Sequence, residues 1–116
     1  MSNLGSFVAN LRRQKNWSQR KLALKTGVSN TEIARIERDD RVNVTLDVIL
    51  KLAAAFNVSV VDMFIDTGLV DDALIGDYIK LAADESSLIA AYRRLDERGK
   101  NAVVDTARRE LRYITA

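Results

Sequence analysis

Ser18-Gln19-Arg20-Lys21-Leu22-Ala23-Leu24-Lys25-Thr26-Gly27-Val28-Ser29-Asn30-Thr31-Glu32-Ile33-Ala34-Arg35-Ile36-Glu37 decides how the rest of the chain is read. It predicts two short helices joined by a glycine-bearing turn. Ser18 is a good N-cap, because its hydroxyl accepts a hydrogen bond from a first-turn amide that has no partner within the helix. Leu22 and Ala23 face inward, Gly27 tolerates the left-handed backbone that ends a helix, and Val28 plugs the corner. Ser29 caps a second helix, in which Ile33 and Ile36 share one face while Asn30, Thr31, Glu32 and Arg35 fall on another. One side of that helix is for burial and the other is made of hydrogen-bonding groups.

An α-helix fits the major groove of B-DNA, where asparagine suits adenine and arginine suits guanine. Amphipathicity alone does not separate such a reader from a helical hairpin whose polar face meets water. The spacing does. A template of Ser-Gln-x-x-Leu-Ala, three residues, Gly-Val-Ser, three residues, Ile, two residues, Ile-Glu fixes small, apolar and capping positions together. On these residues the chain resembles the helix-turn-helix of the Cro/CI-like repressors, also called the XRE family, of phage and prophage type. The resemblance implies an all-α fold: a five-helix lambda-repressor-like DNA-binding domain over residues 1–67, then a helical C-terminal segment over 68–116.

The resemblance also assigns roles. Asn30, Thr31, Glu32 and Arg35 would face the major groove, with Asn30 and Arg35 as the foremost base readers. Thr31 would reach a phosphate or a thymine methyl, and Glu32 would accept from cytosine or discourage wrong sites. Gln19 would bond a phosphate and buttress the recognition helix. Ser18, Arg20, Arg38, Arg41 and Asn43 join it as backbone contacts, the last three because the loop after the recognition helix runs along the DNA. Arg12 and Glu37 match two positions that pair in the family and are expected to form a partly buried structural ion pair. The chain departs from the pattern in lacking a glycine near position 39 and a proline near 44. A third departure is Leu24, an apolar residue at a polar position, expected to touch the C-terminal segment or a partner.

Composition sets the outer limits. A chain of 116 residues makes one domain, or a small domain with an appendage, and buries enough core to fold without staples. Without cysteine there is no disulfide, thiol nucleophile or thiolate metal site, and without histidine the commonest general base and zinc ligand are missing. The remaining carboxylates show no paired catalytic constellation, which argues against an enzyme. Asp39 and Asp40 read as a solvated turn rather than a metal site, so neither a metal nor a cofactor is expected. No signal peptide and no apolar run long enough to span a membrane is evident, and a cytoplasmic, nucleoid-associated location is expected. Residues 1–41 hold nine Lys and Arg against four Asp and Glu, a net +5, whereas residues 42–116 hold nine against twelve, a net −3. Positive charge gathers where the motif lies, as phosphate contacts require.

Outside the motif, periodicity predicts a first helix over 4–15 with Leu4, Phe7, Val8 and Leu11 inward, and Trp17 as a core residue. Thr45 caps a fourth helix with Leu46, Ile49, Leu50, Leu52, Ala53 and Phe56 on a wide apolar face, stopped at Asn57. A fifth, from about Ser59 to Phe64, turns Val60, Met63 and Phe64 inward. Three further amphipathic helices follow: Leu74, Ile75, Ile79 and Ala82 on one, Leu88, Ile89, Tyr92 and Leu95 on the next, then Val103, Val104, Ala107, Leu111 and Ile114, with Gly99 interrupting the pattern. These stripes need cover, and a second copy of the chain is the favoured one, with Leu88, Tyr92, Leu95, Val103, Ala107 and Leu111 as dimerisation residues. The tail is too short for the self-cleaving serine-lysine peptidase of the larger phage repressors, leaving an antirepressor, a protease or a peptide to relieve repression. The function expected is that of a sequence-specific homodimeric repressor reading an inverted-repeat operator. The alternative is an antitoxin that autoregulates its operon and binds a toxin through its C-terminal helices.

Overall fold

Four of the first five helices open on a side-chain cap that sets where the helix starts. The computed structural model describes residues 4–38, 44–68, 72–82 and 84–115, and over these the chain is helical, with no strand among the described residues. Helix α1 (Leu4–Gln14) is followed by α2 (Gln19–Thr26), α3 (Asn30–Arg38), α4 (Leu46–Phe56) and α5 (Val60–Thr67), then α6 (Asp72–Leu81), α7 (Glu85–Arg94) and α8 (Glu97–Thr115). The chain divides into two compact units, Met1–Leu69 and Val70–Ala116.

In the first unit the hydroxyls of Ser18, Thr45 and Ser59 accept from the backbone N–H groups of Lys21, Val48 and Asp62, starting α2, α4 and α5. Helix α1 stops one residue before the predicted end. Asn16 adopts φ 58°, and the Asn16 and Trp17 N–H groups bond back to the Arg13 and Arg12 carbonyls, a closed helix end. Asn57 ends α4 in the same way, at φ 56°, with its own N–H on Ala54 and that of Val58 on Ala53. Asparagine tolerates this left-handed conformation better than other residues with a β-carbon.

The core of this unit is Leu4, Val8, Leu22, Val28, Ile33, Ile36, Ile49, Leu52, Phe56, Val61, Met63 and Phe64. Two expectations need correction. Val61, not Val60, is the buried valine of α5: it lies three residues before Phe64 and six before Thr67, on the stripe those two share, and Met63 is buried beside them. Trp17 is only half-buried: its ring stacks on Phe56 at 6.0 Å between centroids, and the Lys15 and Lys25 ammonium groups each stand 5.4 Å from it. An indole with two cations close to its ring caps the corner and does not fill it. Leu24 is 78% exposed.

In the second unit α8 packs on α6 and α7. Asp96 accepts from the Gly99 N–H at 2.8 Å, so Gly99 lies buried inside the first turn of α8 and does not interrupt it. The buried side of α8 is Gly99, Ala102 and Thr106; a β-carbon on Gly76 of α6 would already stand in van der Waals contact with Thr106, at 3.4 Å. Beside it Val103 and Val104 are half-buried, whereas Ala107, Leu111 and, on α7, Ile89 are exposed. No single helix among the described residues is long and apolar enough to cross a membrane.

Gly5 marks a close approach of two helices in the first unit. A β-carbon there would lie 2.6 Å from the Ile36 carbonyl oxygen and 3.0 Å from that of Glu37, both backbone, so α1 can rest on the end of α3 only while position 5 has no side chain. Gly5→Ala is expected to lower stability by about 1–3 kcal/mol through a forced separation of the two helices. Thermal unfolding of the variant measures it, and an unchanged midpoint would refute the contact.

Candidate nucleic-acid interface

The turn between α2 and α3 is built by three residues. Gly27, at φ 76°, donates its N–H to the Ala23 carbonyl at 2.9 Å and ends α2. Thr26 is buried, donates its hydroxyl to the Leu22 carbonyl at 2.8 Å and accepts the Val28 N–H at 3.1 Å. The buried amide of the corner is thus satisfied by a side chain. Ser29 then accepts the Glu32 N–H at 3.1 Å and opens α3.

Within α3, Ile33 and Ile36 are fully buried. Thr31, Arg35 and Arg38, spaced four and three residues apart, occupy the opposite side; Asn30, Thr31 and Arg38 are exposed and Arg35 is half-exposed. Glu32 flanks this row. Its carboxylate takes the Arg35 Nε at 3.1 Å and Nη2 at 2.7 Å, so two of the four groups expected to face a groove are bonded to each other.

A second fork lies at the far end of the helix. Arg12 donates from Nε to Glu37 Oε2 at 2.8 Å, from Nη2 to Oε1 at 2.9 Å and from Nη1 to the Trp17 carbonyl at 2.8 Å. The two side chains are 13% and 7% exposed. The hydrogen bond to Glu37 holds the Arg12 guanidinium above its ordinary pKa, against the opposing effect of burial and with help from the carboxylate's charge. Gln19 donates to the same Glu37 Oε1 at 3.2 Å, so the amide at the start of α2 is tied to the end of α3.

Ser18 and Arg20 are exposed at the head of α2, while Arg41 and Asn43, with Asp39 and Asp40, lie outside the described residues. Sequence reasoning passed over Thr26, Asn16 and Gly5. The small pair Gly5 and Ala9, four residues apart and both buried, was the available sign of a close helix approach.

Residues 8–63 match the family model described as helix-turn-helix. The matched segment is an XRE-type helix-turn-helix domain, the DNA-binding element of a transcription regulator. No curated protein and no solved structure matches the chain.

Removing one partner of the Arg12–Glu37 fork strands a desolvated charge. Glu37→Ala is expected to destabilise the first unit by about 3–5 kcal/mol, enough to mimic a binding defect by unfolding. Chemical denaturation followed by circular dichroism gives the value; a loss below about 1 kcal/mol would place the pair among ordinary surface ion pairs.

Proposed function

We propose that the chain is a Cro/CI-like repressor that binds an operator in duplex DNA as a homodimer, with α3 in the major groove. The observation that carries the reading is the division of α3, whose isoleucines are sealed in the core while Asn30, Thr31, Arg35 and Arg38 line its outer side. Asn30 and Arg35 read bases, adenine and guanine being their natural partners. Thr31 meets a phosphate or a thymine methyl. Ser18, Gln19 and Arg20 at the head of α2, and Arg38, Arg41 and Asn43 beyond the recognition row, take the sugar-phosphate backbone. The net +5 of residues 1–41 supports phosphate contact.

Residues 68–116 supply the pairing surface. Leu111 is 56% exposed, Ala107 is exposed, and Leu88, Tyr92 and Val103 are half-buried; Leu95 is buried within its own unit and is left out of that surface. A two-fold dimer sets its recognition helices about 34 Å apart, one turn of DNA, and so reads an inverted repeat. Occupation of a promoter then blocks transcription.

Fluorescence anisotropy on the DNA upstream of the gene, against scrambled duplex and across a salt series, is expected to give a specific Kd of about 10⁻⁸ M or tighter with a steep salt slope. Equal weak binding to both duplexes would count against the upstream operator. Arg35→Ala is expected to lose about 1–3 kcal/mol of specificity with little change in thermal stability; equal losses on specific and random DNA would remove Arg35 from the base readers. Truncation after Gly68 is expected to leave a folded monomer that binds weakly, and a truncated protein still dimeric in sedimentation would move the interface elsewhere.

A further inference from the structure

We infer that Glu32 is a positioning residue that presets the Arg35 guanidinium for a guanine and reads no base itself. The inference rests on α3 being the recognition helix. Ser29-Asn30-Thr31-Glu32 has the Ser-x-x-Glu pattern in which the glutamate normally reaches back to the N-cap amide. Only half of that exchange is made here. The Glu32 N–H goes to Ser29 Oγ at 3.1 Å, but the carboxylate turns forward, and each of its oxygens takes one donor of Arg35, at 3.1 and 2.7 Å.

Glu32 bonds Nε and Nη2 of the planar guanidinium, one donor on each carboxylate oxygen, and a guanine takes two arginine N–H donors on O6 and N7. A long side chain fixed by two parallel bonds loses rotamer freedom before the DNA arrives, which lowers the ordering cost at binding. Two of the carboxylate's acceptor positions are taken by Arg35, which leaves it fewer to offer a cytosine amine. Its negative charge beside the phosphates weakens binding to every sequence, so the pair trades general affinity for discrimination.

The test uses the full chain and duplexes enriched from a randomised pool by the unaltered protein. Kd is measured on the best duplex and on one in which the guanine read by Arg35 is replaced, that guanine being the position where R35A loses nothing further. The expected result for E32A is about a three- to fivefold drop in discrimination between the two duplexes, with tighter binding to random DNA and a steeper salt dependence. E32Q, which keeps one acceptor oxygen, recovers part of the discrimination, and in the R35A background either change at position 32 has little further effect. Thermal unfolding of E32A and E32Q separates loss of aim from loss of fold. If E32A costs the same with and without Arg35, or discrimination is unchanged, Glu32 does not act through Arg35 and the inference fails while DNA binding stands. If the unaltered protein enriches no sequence at all, the inference falls together with the reading of α3.

Discussion

The first unit depends on the fork between Arg12 and Glu37. Glu37 stands one residue from the C-terminal end of α3, where the aligned peptide dipoles disfavour a carboxylate by about 0.3–1 kcal/mol. A guanidinium bonded through two nitrogens offsets that penalty in a place largely shut off from water. The third nitrogen of Arg12 holds the Trp17 carbonyl, and Gln19 shares a Glu37 oxygen. Helix α1, the turn after it, the head of α2 and the tail of α3 are joined through one planar cation. The angle between α2 and α3 is consequently set at both ends, by Thr26 and Gly27 at the turn and by Gln19 and Glu37 at the far side.

The molecule uses the same pair of residue types twice, to opposite ends. Arg12 and Glu37 are desolvated, and their loss would leave a charge without water. Arg35 and Glu32 are 42% and 29% exposed, where an ion pair contributes about 0–1 kcal/mol. A contact that weak orients a side chain without committing it, as suits a group that has to exchange partners on binding.

How much was legible in the sequence follows from the range over which each signal acts. Caps and stops are local, so Ser18, Gly27, Ser29, Thr45 and Asn57 were readable one residue at a time. Ile33 and Ile36 were readable from spacing because α3 is short and its buried side narrow. Partners across the fold were not: periodicity tells which side of a helix is apolar but not how near its neighbour comes. Gly5 beneath α3 and the seam of Gly99, Ala102 and Thr106 on α8 both escaped for this reason. In each, helices approach closely through residues too small to register as hydrophobic. Trp17 was misplaced by the opposite error, since size alone suggested the interior for a ring with two ammonium groups close to it.

The aromatic residues are also divided between the two units in a way that makes each visible on its own. The single tryptophan, Trp17, lies in the first, and all three tyrosines, Tyr78, Tyr92 and Tyr113, in the second. Indole emission is therefore a native dye for the helix-turn-helix alone, and its colour registers the moment when Phe56, Lys15 and Lys25 leave the ring. Tyrosine emission belongs wholly to the C-terminal helices. Excitation at two wavelengths can follow the melting of the halves in one cuvette, with no label attached, and show whether they come apart together or in turn.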